Sequence, residues 1–347
     1  MVTSDCASFM SISQSVSYSG GMSQTPSTKV KPATQAPKKA RYHVRNWPQY
    51  ERALVDRGRM TLWIHEQVLR QWCAPKVKGQ RGAPRLYSDL LILCLWALKA
   101  RYHLTNRGVE GFMKSILWAL GVYRPVPDHT TVSRRGRHLP VTLTRPTPMK
   151  PIQVLIDSTG IKILGASTWR EWQRYVPGGP RDFRKLHIAL DAATQEIVAV
   201  EVTDKYDHDK DQVAALLAQV VDPIQRVTAD GNYDFDSSRE AIRAYGAQDL
   251  IPPRANAVIQ PNSPRPERDR AIQLIETLGS KAAWKEAVGY HQRSLVETAM
   301  YRIKGQFGER MASREKERQI TEMRVWAWVL NQLTRLGMPV SRPVALT

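Results

Sequence analysis

Cysteine is scarce in this sequence, and the few cysteines exclude two common kinds of stabilising site. The chain of 347 residues contains Cys6, Cys73 and Cys94, which are odd in number and widely separated. No Cys-x2-Cys pair and no Cys/His spacing of the zinc-binding kind occurs. The sequence therefore supports neither a disulfide framework nor a zinc finger.

Long apolar segments are also missing. The most apolar run, Leu90–Leu98, has about half the length that a membrane-spanning helix needs. The N-terminus does not show the basic and then apolar order of a signal peptide, and no repeated unit is visible. These absences predict a cytoplasmic protein that does not bind a membrane.

Acidic residues are sparse in the first part of the chain only. Residues 1–150 contain 24 Lys and Arg against 7 Asp and Glu, whereas residues 151–347 contain 27 against 25. Most of the formal charge of +19 therefore lies in the first 150 residues. A polycation binds nucleic acid by releasing the counterions condensed on its backbone. A basic surface of the ribosomal kind would show a similar charge, but its confinement to one part favours a DNA-binding module ahead of a catalytic one.

Composition and hydrophobic pattern divide the chain into three parts. Residues 1–40 contain 13 Ser and Thr and are predicted to be a disordered tail. Residues 41–145 carry helical patterns and are predicted to form the DNA-binding domain. Residues 150–340 begin with short apolar runs in the order β-β-β-α-β-α-β, which predicts an α/β mixed sheet with flanking helices.

The helical part ends in two adjacent helices with capping signals. Thr105 is predicted to start one helix, and Asp128 the next. The second helix presents polar and basic side chains, which suits the recognition helix of a helix-turn-helix. An ordinary helical pair with solvated arginines fits the same residues equally well. The four candidate DNA contacts are Thr130, Ser133, Arg134 and Arg135.

Two aspartates follow apolar strand runs in the α/β part. Asp157 comes directly after Ile152–Ile156, and Asp230 after Gln225–Ala229, and each precedes a turn that contains glycine. Side chains at the carboxyl ends of neighbouring strands form sites in open α/β sheets. Two carboxylates so close need a cation between them, and Mg²⁺ prefers such oxygen ligands. Taken singly, each aspartate fits an ordinary turn better than a site.

A later helix, predicted over 281–305, carries a third carboxylate in a polar stripe. Tyr290, Arg293, Glu297 and Lys304 are spaced so that they fall on one face of that helix. A surface ion pair between Arg293 and Glu297 explains two of them. It does not explain why Tyr290 and Lys304 stand in register with the pair.

These residues carry a resemblance to a known family. The pattern Tyr290-x2-Arg293-x3-Glu297-x6-Lys304 matches the signature of a large group of bacterial insertion-sequence DDE transposases. The resemblance covers about residues 41–340, with its blocks in the right order. The blocks that look like those of the family are Asn46–Tyr50, Pro127–Thr131, Ile156–Gly160, Arg184–His187, Ala229–Asp234 and Gly289–Met300.

The resemblance implies a ribonuclease-H-like catalytic domain in which the first and fourth strands are adjacent. Asp157 then lies beside Asp230, and the late helix brings Glu297. These three carboxylates are implied to form the catalytic triad and to hold two Mg²⁺ ions, which Mn²⁺ can replace, for strand cleavage and strand transfer. The residues implied to contact DNA phosphates near the cleaved end are Tyr290, Arg293 and Lys304.

The resemblance also implies partners. They are double-stranded DNA, as terminal inverted repeats and as target, and a second copy of the chain in a homodimeric synaptic complex on the bacterial nucleoid. Two other functions stay open. A metal-dependent DNA nuclease of the same fold would use the same residues without joining strands. A domesticated DNA-binding protein would keep the fold without activity, and the intact triad counts against it.

Five further residues are predicted to have structural roles or stay open. His187 is predicted to be structural, His208 to lie in a charged loop that caps the next helix, and Asp191 to start a hairpin turn. Trp169 and Trp172 fit base stacking and packing against the sheet equally well.

Overall fold

The computed structural model describes residues 42–75, 85–143, 145, 150–163, 183–259 and 266–343. They fall into two compact units, a large one of 44–341 and a small one to which 42, 43, 342 and 343 belong. The predicted tail of 1–40 lies outside the described residues, as do Trp169 and Trp172. All that follows concerns the large unit.

Capped helices make up the first part of this unit. They are α1 (Trp47–Asp56), α2 (Glu66–Arg70), α3 (Asp89–Arg101), α4 (Asn106–Ala119) and α5 (His129–Arg135). The side chains of Ser88, Thr105 and Asp128 each accept a hydrogen bond from the amide three residues on, at 3.1, 3.0 and 2.7 Å. These caps satisfy amides that a helix start leaves free, and those of Thr105 and Asp128 confirm the predicted starts of α4 and α5.

Helix α3 is buried over most of its length and packs against α5. Trp96 on α3 donates from Nε1 to the carbonyl of Val132 at 3.2 Å. Gly136, just after α5, lies so close to this indole that a Cβ atom there would meet the ring at 2.0 Å. Only glycine allows this approach, so the two helices are held at a short separation.

A five-stranded mixed sheet follows, in the spatial order β4-β3-β2-β5-β6. Strand β1 (Tyr42–Val44) lies outside this sheet, whose strands are β2 (Ile152–Lys162), β3 (Phe183–Asp191), β4 (Ile197–Asp204), β5 (Ile224–Thr228) and β6 (Gln248–Leu250). Strands β2, β3 and β4 run antiparallel, whereas β5 is parallel to both β2 and β6. The first and fourth strands, β2 and β5, are therefore neighbours, as expected for a ribonuclease-H-like domain. The predicted α/β fold class is confirmed.

Helices cover the sheet. Those between its strands are α6 (Val213–Leu217) and α7 (Asp236–Ala244), and those after it are α8 (Pro266–Leu278), α9 (Lys281–Ala287), α10 (Ser294–Phe307) and α11 (Lys316–Arg335). Single 3₁₀ turns occupy Met60–Leu62, Asp209–Gln212, Gly231–Tyr233 and Tyr290–Arg293. None of the helices that the structure describes is long and apolar enough to cross a membrane.

The alternation of side chains along β2 gives the sheet two buried faces. Leu155 packs in a core that includes side chains of α3, α10 and α11. Val154 and Ile156 point the other way, into a core with α6 and α7. One hydrophobic core thus contains residues from both parts of the chain that were predicted as separate domains. The division into two domains at 145–150 stays a prediction.

Two predicted elements are wrong in ways that affect the site. Strand β2 continues to Lys162, so the segment after Ile156 is not a turn. Its antiparallel partner β3 continues beside it and pairs Asp157 with Ile188. The predicted single helix of 281–305 is interrupted, because Gly289 adopts a left-handed conformation with φ of 69° after α9.

The helix that the sequence predicts over 211–221, after the charged loop of His208, is shorter than predicted. The segment 211–221 forms a 3₁₀ turn, Asp209–Gln212, followed by the five residues of α6. His208 precedes that turn, but its side chain makes no capping hydrogen bond. Asp191 ends β3 and accepts from Thr194 Oγ1 at 2.7 Å, which confirms the predicted hairpin turn.

Candidate active site

The parallel pairing of β2 with β5 brings Asp157, which lies within β2, and Asp230, which follows β5, to the same level of the sheet. The last paired residues of β2 and β5 are Leu155 and Thr228. Asp157 lies two residues beyond the first, and Asp230 two residues beyond the second. Neighbouring strands are about 4.8 Å apart, so both carboxylates lie at one edge of the sheet.

Asp230 is fixed by the turn that follows it. Its Oδ1 accepts a hydrogen bond from the Asn232 amide at 2.9 Å, and Asn232 Nδ2 donates to its Oδ2 at 3.1 Å. The side chain thus caps the 3₁₀ turn Gly231–Tyr233. The turn residues that made Asp230 ambiguous in the sequence hold its carboxylate in place.

Arg293 links Glu297 to Asp157, because its guanidinium contacts both carboxylates. Arg293 Nη1 lies 3.3 Å from Asp157 Oδ2, and Arg293 Nη2 forms an ion pair with Glu297 Oε1. The guanidinium therefore bridges a carboxylate of the central strand and one of α10. The structure brings the strand carboxylates and the helix carboxylate into one region, as the sequence predicts.

The electrostatics of Asp157 reflect this setting. Burial raises the pKa of Asp157, while the hydrogen bond from the Ser158 amide and the charge of Arg293 oppose the rise. The negative charges of Asp230 and Glu297 raise it further. Like charges that influence one another in this way define an acidic site that calls for a cation.

Tyr290 has a supporting position rather than an exposed one. It is 7% exposed, and its hydroxyl donates a hydrogen bond to the carbonyl of Ala229 at 3.1 Å. Its ring packs 5.9 Å from that of Trp284. Burial raises the pKa of Tyr290 to about 12, so the hydroxyl keeps its proton. Tyr290 therefore ties the turn before α10 to the residue that precedes Asp230.

The stripe predicted on one helix is divided between two elements. Tyr290 and Arg293 lie in a 3₁₀ turn, and only Glu297 and Lys304 lie on α10. Lys304 is half-buried, two turns beyond Glu297 on the same face. Among the described residues, none forms a side-chain hydrogen bond or ion pair with Lys304.

The candidate DNA contacts on α5 differ in their availability. Thr130 and Arg134 are exposed, and Ser133 is half-buried. Arg135 is engaged within the protein, because its guanidinium donates to the carbonyl of Tyr87 at 2.8 Å and forms an ion pair with Asp89. A DNA contact by any of the four stays a prediction.

A first set of supporting residues was missed in the sequence. Lys185 Nζ lies 2.9 Å from Asp209 Oδ1, and Ser158 Oγ donates to Asp209 Oδ2 at 2.8 Å. Ser158 adjoins Asp157, so this chain of contacts ties the segment after β4 to β2. The acidic run around His208 was the only signal, and it suggested a helix cap.

A second set of supporting residues surrounds Arg239 and contacts the turn that follows Asp230. Arg239 is 1% exposed and binds Asp234 Oδ1 at 2.9 Å, Asp249, and the carbonyl of Ile251 at 3.1 Å. Burial raises the pKa of Asp249 to about 6, against the opposing charge of Arg239. The network joins the turn after Asp230 to β6. Nothing in the sequence distinguishes Arg239 from other helical arginines.

The three carboxylates offer the hard oxygen ligands that Mg²⁺ or Mn²⁺ takes. Within the described ranges, however, no group of three or more His, Cys, Asp or Glu side chains is close enough to hold one metal ion. The guanidinium of Arg293 supplies the positive charge between Asp157 and Glu297. The donor set suits a divalent metal, and its closure around one requires Arg293 to move.

Two family models, each described as a transposase DDE domain, match the sequence. One match covers residues 55–166 and the other residues 148–332. Because the second match spans more than half of the chain, the protein belongs to the DDE transposase family. Enzymes of this family cleave DNA and transfer the cut strands, and they use divalent metal ions.

Solved structures of transposases and of a retroviral intasome are also similar, at low scores. A piggyBac transposase synaptic complex with hairpin DNA has 11% identity and a TM-score of 0.38, with 84% of this chain and 76% of that chain covered. A simian T-cell lymphotropic virus intasome has 10% identity, a TM-score of 0.23 and 66% coverage of each chain. The Drosophila P element transposase has 13% identity and a TM-score of 0.26, with 59% of this chain and 47% of that chain covered. Scores this low establish no shared arrangement.

Proposed function

We propose that this transposase cleaves DNA at the ends of an insertion sequence and joins those ends to target DNA. The proposal assigns Asp157, Asp230 and Glu297 as the catalytic, metal-binding triad. The observation that carries it is the matched placement of Asp157 and Asp230, two residues beyond the last pair of adjacent parallel strands. Glu297 joins them through its shared contact with Arg293.

Two Mg²⁺ ions, or Mn²⁺ in their place, would supply activation of the attacking oxygen and stabilisation of the leaving oxygen. The residues of the chain provide the carboxylate ligands and the balancing positive charge. Asp157 offers its carboxylate from within β2, and Asp230 offers its carboxylate from the turn after β5, which fixes the geometry of the site. Arg293 balances the negative charge of Asp157 and Glu297, and with a metal held by these carboxylates its guanidinium would be free to bind a phosphate of the DNA strand.

Other residues position the substrate. Lys304 has a side chain without a partner among the described residues and lies on the same face as Glu297, so we assign it a phosphate contact. Tyr290 acts on Asp230 through the carbonyl of Ala229. The basic first part of the chain, with Thr130 and Arg134 exposed on α5, is proposed to hold the terminal inverted repeat. Two ends must be cut together, so a homodimer is the proposed working unit.

The test uses the full chain, a duplex with the element's end, and a supercoiled target plasmid in the presence of Mg²⁺. We expect both a cleaved duplex and a joined product. Asp157→Asn, Asp230→Asn and Glu297→Gln should abolish both. Asp211→Asn, which removes an exposed carboxylate outside the triad, should leave both unchanged.

Each alternative has its own outcome. Cleavage without a joined product would favour the metal-dependent nuclease. Binding of the duplex without cleavage in the wild-type chain would favour the non-catalytic DNA-binding protein. Full cleavage by the Asp230→Asn or Glu297→Gln variant would refute the assignment of the triad.

A further inference from the structure

A buried ammonium group lies outside the candidate active site. Lys99 on α3 is 9% exposed, and its Nζ lies over the ring of Trp96, 4.3 Å from the centroid. Among the residues that the structure describes, none accepts a hydrogen bond from this ammonium or forms an ion pair with it. Burial lowers the pKa of Lys99, and the charge of Glu322 opposes that effect.

The nearest acidic partner is already engaged. Glu322 Oε1 accepts the amide of Ala312 at 2.8 Å, and its Oε2 accepts the amide of Ser313 at 2.8 Å. This carboxylate therefore fixes the loop after α10 instead of pairing with Lys99. Partial desolvation of a charge costs stability when no acceptor bonds it. Among the described residues Lys99 contacts the Trp96 ring but no acceptor, so an anion in the adjacent cavity would supply the missing hydrogen bond.

Lys99 lines a cavity of about 110 Å³ between α3, the end of α10 and α11. A single water needs roughly 10–15 Å³, so the cavity has room for a group of several heavy atoms. Its side chains combine aromatic walls with hydrogen-bond donors, and the residues used below are Trp96, Lys99, His103, Phe307, Arg310 and Trp326. We call this cavity the Lys99 pocket.

The donors and the walls of the Lys99 pocket suit an anion. The carboxylate of Glu322 also lines the pocket, but both of its oxygens are bonded to the amides of Ala312 and Ser313. Lys99 lies inside, and the exposed side chains of His103 and Arg310 belong to its rim. Phe307 and Trp326 stack on each other at 5.4 Å and give the pocket an apolar side. Apolar walls lower the local dielectric constant, so a charged ligand interacts more strongly with Lys99 there than at an open surface.

The Lys99 pocket is also connected to the catalytic strand. The backbone of Arg310 forms an isolated parallel β-bridge with that of Lys162, the last residue of β2. Asp157 lies five residues earlier on the same strand, and β2 rises about 3.3 Å per residue, so the two strand positions are about 16 Å apart. This separation corresponds to about five base-pair steps of 3.4 Å along a duplex.

We propose that the Lys99 pocket binds a phosphate group, and that its source is the backbone of the DNA held at the active site. Lys99 forms the charge-assisted contact, and Arg310 and His103 donate from the rim. The DNA source rests on the proposed function. The same chemistry would accept a free phosphate ion, and the experiment separates the two.

The test compares the full-length wild type with Lys99→Met and, as a matched control, Lys316→Met. Lys316 is an exposed lysine that pairs with Asp204 at 3.1 Å. Binding of a fluorescent duplex is measured by anisotropy over a range of salt concentrations. Binding of inorganic phosphate is measured by ³¹P NMR, and thermal unfolding reports the stability of each variant.

If the proposal holds, Lys99→Met weakens DNA binding and reduces the slope of log K against log salt by about 0.9, the value for one phosphate contact. Its melting temperature stays the same or rises, because an unpaired buried charge is removed. Lys316→Met leaves the salt slope unchanged. A merely structural lysine would instead lower the melting temperature without changing the slope.

An unchanged slope in Lys99→Met, or an equal change in Lys316→Met, would overturn the DNA contact. Loss of inorganic phosphate binding with an unchanged DNA slope would assign the pocket to free phosphate and overturn its DNA source. If the wild type bound no DNA, the proposed function would fail separately. Failure of wild type and Lys99→Met alike to bind either form of phosphate would overturn the pocket itself.

Discussion

Removal of the Arg293 charge should strengthen metal binding at the triad. Arg293 bridges Asp157 and Glu297, so a metal that uses both carboxylates must displace it. At 3.3 Å and an effective dielectric constant of 20, the Coulomb attraction to Asp157 is about 5 kcal/mol before desolvation. Solvent screening reduces the net value of both contacts together to about 1–2 kcal/mol, because Glu297 is more than half exposed.

This energy predicts that Arg293→Gln binds Mn²⁺ about 5- to 30-fold more tightly, since 1.4 kcal/mol corresponds to a factor of ten. Isothermal titration calorimetry at pH 8 measures the affinity of each full-length variant. Lys304→Gln is the matched control: it removes the same charge two turns from Glu297 and should change the affinity by less than twofold. DNA cleavage by Arg293→Gln should fall, because the proposed phosphate contact is lost.

An affinity for Mn²⁺ that is unchanged or weaker in Arg293→Gln would refute this reasoning. It would mean that Arg293 does not compete with the metal for Asp157 and Glu297. An equal gain in Lys304→Gln would show a general effect of charge and would remove the specific role of the bridge.

Three more predictions follow from the supporting contacts. Tyr290→Phe loses the bond to the Ala229 carbonyl, so urea unfolding should show a loss of about 1 kcal/mol and cleavage should slow several-fold; wild-type behaviour would contradict its positioning role. Arg239→Met removes the arginine that pairs with buried Asp234 and Asp249, while Arg268 stays 3.6 Å from Asp234, and should cost about 3–5 kcal/mol in the same assay; a loss below about 1 kcal/mol would contradict the network. Burial lowers the pKa of His187 to about 4, below its ordinary 6.5, so its contribution to stability is present above pH 6.5 and is lost as pH falls towards 4. Melting temperatures across that range should depend less on pH in His187→Gln, and an unchanged dependence would exclude His187 as the cause.

Much of the fold could be predicted because local signals decide it. Thr105 and Asp128 cap helices at the predicted positions because their side chains bond amides three residues on. Asp191 turns the hairpin between β3 and β4 for a similar local reason. Strand length was less predictable. Asp157 looked like a strand end, and the neighbouring β3 extends β2 past it.

The supporting residues of the site could not be predicted, because their partners are distant in sequence. Arg239 gains its role from buried carboxylates on a later strand and an earlier turn. Lys185 and Ser158 meet Asp209 only when the loop after β4 folds back over β2. Gly289 is also decisive, since one left-handed residue replaces a continuous helix by a turn and a shorter helix.

Residue types, spacing and hydrophobic period are local properties, so the sequence was enough to indicate the family, the charged first part and three candidate carboxylates. How those carboxylates come together depends on the tertiary structure. The parallel pairing of β2 with β5 sets Asp157 level with Asp230, and Arg293 joins Glu297 to them. Strand pairing and the burial of charge depend on contacts between distant segments, and these contacts form only when the whole unit folds.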